Sequence, residues 1–286
     1  MSMDFPHDEP EPAKRGRKRR RFRRVPIRVL VPNAVTLLAL GAGMSAIRMA
    51  FEGRFEVAVG MILLAAVLDG LDGRIARALK GTSRFGAELD SFADFISFGV
   101  APAVVLFTWS LNLYKGLGWI IVLSLAISAA LRLARFNVAL DDPDTPAWSA
   151  NYFTGVPAPA GAGIALLPMY LSFLTGFSGA DAALWLLVYV PFAGFLMVSR
   201  LPTYSGKMIG QRIRRDIVLP VLMLIVIFTA LLLSYPWLVL SVLTLTYMAS
   251  IPLSMRRYKE QLDASGGGDQ AATGGDAGKA DADDAP

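Results

Sequence analysis

Runs of about 20 apolar residues recur along almost the whole chain, and a run of that length is what a helix needs to cross a bilayer. Eight are present, at roughly 30–50, 55–79, 86–109, 117–138, 153–175, 180–199, 217–234 and 237–254. A soluble domain of 286 residues needs one core but has no use for such repetition. The composition agrees, with 54% hydrophobic and only 18% charged residues and a mean hydropathy of +0.49. Gly and Pro inside the runs are compatible with membrane helices. The expected fold is therefore an all-α, polytopic membrane bundle of about eight spans.

Two absences narrow the chemistry. The chain has no cysteine, which excludes disulfides and thiolate metal sites. Its one histidine, His7, lies in a polar N-terminal tail. Ser–His triads and zinc–histidine clusters are thereby excluded, so any proton transfer falls to carboxylates or to a metal.

The net charge of +5 is unevenly distributed. Residues 14–24, "KRGRKRRRFRR", hold nine basic residues directly before the first apolar run. Next to a span such a cluster marks the cytoplasmic side and attracts anionic lipid, and nucleic acid is not an expected partner. The apolar run that follows is too long for a secretory signal and ends in no small-residue cleavage site. Eight spans then put both tails inside. Arg74, Arg77, Lys80, Arg84, Arg132, Arg135, five basic residues in 200–215, Arg256, Arg257 and Lys259 all fall on the inner side. Only Arg48, Arg54 and Lys115 fall outside, as the positive-inside rule requires. The residues after 262, rich in Gly, Ala and Asp, read as disordered.

Against this apolar background, residues 69–94 read "DGLDGRIARALKGTSRFGAELDSFAD". Positions three or four apart share a helix face. Asp69, Asp72, Gly73 and Ala76 therefore form one stripe with Arg77 at its edge, and Gly86, Asp90 and Asp94 form a second. Facing each other near the inner interface, the stripes would surround a small volume walled by Gly and Ala. Four carboxylates in such a volume repel one another unless divalent cations join them, and all-oxygen ligation favours Mg²⁺, Mn²⁺ or Ca²⁺ over zinc. Two cations suit a diphosphate substrate, which indicates metal-dependent phosphoryl chemistry at the inner membrane surface. Transporters also carry intramembrane carboxylates, but their sites are expected near the midplane in paired halves, and no internal repeat is visible here. A lipid-binding scaffold would leave the aspartates without a role.

The pattern Asp69-x2-Asp72-Gly73-x2-Ala76-Arg77-x8-Gly86-x3-Asp90-x3-Asp94 resembles the signature of the CDP-alcohol phosphatidyltransferases at every specified position. That resemblance implies a six-helix membrane core over about 29–200. A C-terminal membrane hairpin at 201–258 is expected outside it, flanked by a basic tail (1–28) and an acidic tail (259–286). It implies transfer of a phosphatidyl group from CDP-diacylglycerol to an alcohol with release of CMP. Asp69, Asp72 and Asp90 would ligate two divalent cations, Mg²⁺ or Mn²⁺, and Asp94 would ligate one and act as general base. Gly73, Arg77 and Ser83 would contact the CDP-diacylglycerol, and Asn33 and Thr36 of "PNAVT" would line the nucleotide pocket. The segments "GAELDSFADFISFGVAPA", "LRLARFN" (131–137) and "TGVPAPAGAG" (154–163) look like the phosphatidylserine synthase branch, whose acceptor is L-serine. Arg132 and Arg135 are then candidates for the serine carboxylate and Glu88 for its ammonium. Charge alone does not separate this branch from phosphatidylglycerophosphate synthases, the main alternative. The expected location is a bacterial inner membrane with a cytoplasmic active site, and a homodimer is compatible with the sequence.

Overall fold

The computed structural model describes residues 27–81, 83–140, 152–199, 201–204 and 215–274. The basic run at 14–24, His7, most of the basic residues in 200–215 and the last twelve residues lie outside the described residues. The helices are α1 (Ile27–Phe51), α2 (Phe55–Ala78), α3 (Arg84–Asp94), α4 (Ala101–Trp109), α5 (Lys115–Leu140), α6 (Ala158–Thr175), α7 (Gly179–Val198), α8 (Arg215–Ser234) and α9 (Pro236–Gly274). One π turn, Phe95–Val100, joins α3 to α4 into a single rod. The result is eight helical rods among the described residues, one for each apolar run. Six are long and apolar enough to cross a membrane. α2 is the amphiphilic one, because its last turns carry Asp69, Asp72, Arg74 and Arg77; in α8 the apolar stretch, Val218–Ser234, is short. The protein is a polytopic helical membrane protein.

Small side chains let the rods approach closely, which is how helices associate where no water drives them together. Ala42, Ala46 and Ala50 on α1 pack on a face of α2 that buries Ala58, Ile62 and Ala65. Gly43 lies so close to Ser97 that a side chain there would collide with it, and the Ser97 hydroxyl donates to the Ala39 carbonyl at 3.3 Å. The π turn carries Ser97 toward α1 and Gly99 against Ala129 of α5. π turns concentrate at functional sites, and this one begins directly after Asp94.

Three features depart from the sequence expectation. The run expected as a span from 153 begins as a short strand, β1 (Tyr152–Thr154), paired antiparallel with β2 (Pro202–Tyr204). α6 starts only at Ala158, behind Gly155 at φ +83° and Pro157, because neither residue favours continued helix upstream. α9 continues to Gly274, so the acidic tail expected to be unstructured from 259 is helical up to that residue. α8 packs mainly on α9 and leaves most of its apolar side chains exposed, a surface suited to lipid.

Candidate active site

Local chemistry builds the corner between α2 and α3. α2 closes with Lys80 in the left-handed region (φ +48°), while Gly81 N–H donates back to the Ala76 carbonyl at 2.9 Å. This is a Schellman-type ending. A side chain at Gly81 would run into the Arg28 carbonyl, so the loop can lie against the start of α1 only with glycine there. Ser83 then caps α3, its hydroxyl accepting from Gly86 N–H at 3.0 Å. Two residues expected only as ligand contacts or signature positions thus have structural roles. Gly86 in turn sits close to the Asn33 side chain of α1.

The two acidic stripes do face each other. Single oxygens of Asp69, Asp72 and Asp90 lie within 4.8 Å of one another. Asp72 is only 5% exposed and accepts from the Thr36 hydroxyl at 2.7 Å. Thr36 itself sits one turn into the Pro32-containing end of α1. Asp94 is not part of the group of three, but its carboxyl group is within hydrogen-bonding reach of that of Asp69. The three-carboxylate group fits a hard divalent cation, since it offers several oxygens and no nitrogen or sulfur at a spacing such an ion can bridge.

A cavity of about 150 Å³ opens beside this cluster. Asn33, Thr36, Asp72, Gly73, Ser83 and Asp90 all line it, so the elements expected around a nucleotide converge on one space. At Gly73 an added side chain would meet nothing nearer than the Arg77 guanidinium, at 3.6 Å. Arg77 therefore folds back along α2 over the open backbone, with its side chain exposed.

The residues expected to hold the acceptor separate into different surroundings. Glu88 is exposed on α3, two residues from Asp90 and so on another face, and it does not line the cavity. Arg135 spends its guanidinium on the end of α7, donating to the carbonyls of Val198 (2.7 Å), Ser199 (3.2 Å) and Met197 (3.4 Å). Arg132 is 7% exposed, stacks over Phe136 at 5.2 Å, and lies in the electrostatic neighbourhood of Asp94 and Asp69. Among the described residues Arg132 makes no hydrogen bond and no ion pair within 4.0 Å. A buried guanidinium left in that condition is costly, so the arrangement suits an anion that arrives from outside.

Sequence reasoning missed the tie that sets α5 against α3. Asn137 donates to the Ser91 hydroxyl at 2.9 Å, and Ser91 donates to the Ala87 carbonyl at 3.1 Å. Asn137 ends the quoted "LRLARFN" segment, so a signal existed, but an asparagine near a helix end has too many local uses to be assigned from sequence.

The family model described as CDP-alcohol phosphatidyltransferase matches residues 29–198. A second, described as CDP-alcohol phosphatidyltransferase 2, matches residues 216–252. The last two spans lie outside the first match and are covered by the second. The chain is similar to the CDP-diacylglycerol–serine O-phosphatidyltransferase of Mycobacterium leprae, with 39% identity over 243 residues covering 84% of this chain and 79% of the relative. The Helicobacter pylori protein of the same name (strain 26695) is 32% identical over 219 residues, 77% of this chain and 88% of the relative. An archaetidylserine synthase from Methanothermobacter thermautotrophicus is 30% identical over 176 residues, 60% of this chain and 68% of the relative.

Proposed function

The chain belongs to the CDP-alcohol phosphatidyltransferase family, and on that premise we propose that it transfers the phosphatidyl group of CDP-diacylglycerol to L-serine, giving phosphatidylserine and CMP. The observation that carries the acceptor is the buried Arg132 guanidinium, without a hydrogen bond among the described residues and beside the acidic cluster, together with the serine-specific names of the relatives. A carboxylate is the anion that an amino-acid acceptor would bring to it.

In this reading Asp69, Asp72 and Asp90 would hold two divalent cations, Mg²⁺ or Mn²⁺, and Asp94 would be a further ligand. When bound, the cations neutralise the diphosphate and stabilise the leaving oxygen. Thr36 orients Asp72 through its hydrogen bond. Asn33, Gly73, Arg77 and Ser83 receive the cytidine diphosphate portion, with Gly73 leaving the backbone open to it. Asp94 takes the proton from the serine hydroxyl, which is otherwise a poor nucleophile near neutral pH. The serine oxygen forms a bond to the phosphorus bearing diacylglycerol, and the bond from that phosphorus to the CMP oxygen breaks. Arg135 supports this site from a distance by holding the end of α7, and Glu88 has no part in it.

The catalytic unit comprises 29–200, with 201–258 as an adjoining membrane hairpin. The acidic end of α2 faces the cytoplasm, in a bacterial inner membrane, as the basic-residue asymmetry indicates. Reporter fusions at about residues 82, 114, 145 and 207 should show only position 114 outside; an external signal at 82 would overturn this orientation. The function is tested by CMP release from CDP-diacylglycerol with a panel of acceptors. Serine should be efficient, and ethanolamine, which lacks the carboxylate, very poor, because a site built around a charge rejects analogues without it. Efficient use of glycerol 3-phosphate in place of serine would make the protein a phosphatidylglycerophosphate synthase instead.

A further inference from the structure

One face of α1 touches both acidic stripes. Positions 33, 36, 39 and 43 are three or four apart and so share that face. The Asn33 side chain abuts Gly86 in the first turn of α3. The Thr36 hydroxyl donates to Asp72 of α2 at 2.7 Å. The Ala39 carbonyl accepts from Ser97, three residues beyond Asp94, and Gly43 leaves the notch that Ser97 occupies. α1 therefore meets the rod of α3 and α4 on both sides of Asp90 and Asp94. Between those two contacts it holds a carboxylate of α2.

The contact at Ser97 is a close one. A methyl group at Gly43 would stand 2.5 Å from Ser97 Oγ and 2.9 Å from its Cα, so no rotamer of Ser97 removes the clash. Toward α5, a side chain at Gly99 would meet Ala129 at 2.9 Å, which leaves the rod little room to retreat. Ser97 is buried. A slide of the rod by one residue, about 1.5 Å, would take its hydroxyl out of reach of the Ala39 carbonyl and leave it without that acceptor. Gly41, on another face of the same helix, has nothing within 4 Å of where a side chain would stand.

We propose that Ser97 and Gly43 are positioning residues for Asp94: seated together, they fix where along α1 the Asp94 carboxylate stands relative to Asp72. The inference rests on the phosphatidyl-transfer reading above and not on the identity of the acceptor. A base must reach the acceptor hydroxyl while that hydroxyl faces the phosphorus, and a misplacement of about 1 Å costs on the order of 100-fold in rate.

The test uses the full chain in detergent–lipid micelles and follows CMP release with the acceptor that wild type uses best. Gly43→Ala should lower kcat by on the order of 100-fold, while equilibrium binding of CDP-diacylglycerol stays within about threefold and reports that the variant is folded. Ser97→Ala, which loses the hydrogen bond but keeps the fit, should lower kcat by about 3–10-fold. Gly41→Ala should match wild type. Two further measurements separate positioning from a general loss of packing. Ser97→Gly, which removes both side-chain atoms of the clash, should restore about tenfold of the kcat lost in Gly43→Ala. Introduced into Asp94→Asn, Gly43→Ala should cost less than about threefold more, since a base already removed cannot be misplaced. Should Gly43→Ala not fold, Ser97→Ala carries the same comparison with Asp94→Asn. An unchanged kcat in Ser97→Ala, with Gly43→Ala unchanged or unfolded, defeats this inference alone. So does a loss that persists in full in Asp94→Asn, which would make the seat a matter of packing. A wild type that releases no CMP with any acceptor defeats the functional reading first, and this inference with it.

Discussion

The α2–α3 corner and the α5–α7 corner both gather charged groups near the same site, but they handle them in opposite ways. At the first, the carboxylates of Asp69, Asp72 and Asp90 stand together, with Asp94 beside Asp69 and Thr36 as the neutral donor to Asp72. Their mutual repulsion is left for a ligand to relieve. At the second, two arginines three residues apart on one helix have different fates. Arg135 is saturated by the carbonyls that end α7, where a cation also complements the helix dipole. Arg132 is buried against a ring and, among the described residues, makes no hydrogen bond. Residues of the same type, close in sequence, thus divide into one bound to the fold and one that, in the function proposed above, meets the acceptor. Which is which depends on what the neighbouring helices bring.

The contrast between base and scaffold gives the largest expected effect. Asp94→Asn keeps the shape of the side chain but removes its basic charge. Turnover, read as CMP release, should fall by about 10²–10⁴-fold, while CDP-diacylglycerol still binds through the other three aspartates. Near-normal turnover in that variant, or in excess chelator, would remove both the base and the metal from the mechanism.

Next comes the contrast between the arginines themselves. Arg132→Gln should raise the serine KM by roughly 10–100-fold, as loss of charge-assisted hydrogen bonds implies, and leave CDP-diacylglycerol binding nearly unchanged. Equal weakening of both substrates would make Arg132 structural and erase the distinction.

The smallest effect on selectivity belongs to Arg135. Arg135→Ala strips donors from the α7 end and should cost about 1–3 kcal/mol of stability, visible as a lower Tm in detergent. Both KM values should then shift together, if at all. A selective rise in the serine KM without a change in Tm would move Arg135 back into the acceptor site.

Much of the acidic corner was legible because it is local. Asp69, Asp72 and Gly73 share a face by helical spacing, as do Gly86, Asp90 and Asp94, and the five residues between α2 and α3 allow little but a hairpin. Even there, spacing did not separate Asp94 from the three-carboxylate group, nor reveal that Ser83 and Gly81 build the loop. The acceptor side was far less legible. Glu88 was a reasonable anion in sequence but lies on an exposed face, because residues two apart on a helix point in different directions.

By itself, then, the sequence determined a polytopic helical membrane protein, the pairing of the two acidic stripes, and the family. These follow from the length of apolar runs and from 3.6-residue periodicity, both properties of a segment and its solvent. Only the tertiary structure decided that Arg135 is held by the α7 carbonyls while Arg132, among the described residues, makes no hydrogen bond, and that Asn137 ties α5 to α3. A hydrogen-bond partner is a neighbour in space, and in a bundle of helices joined at their ends such neighbours come from spans whose separation in sequence carries no trace of the contact.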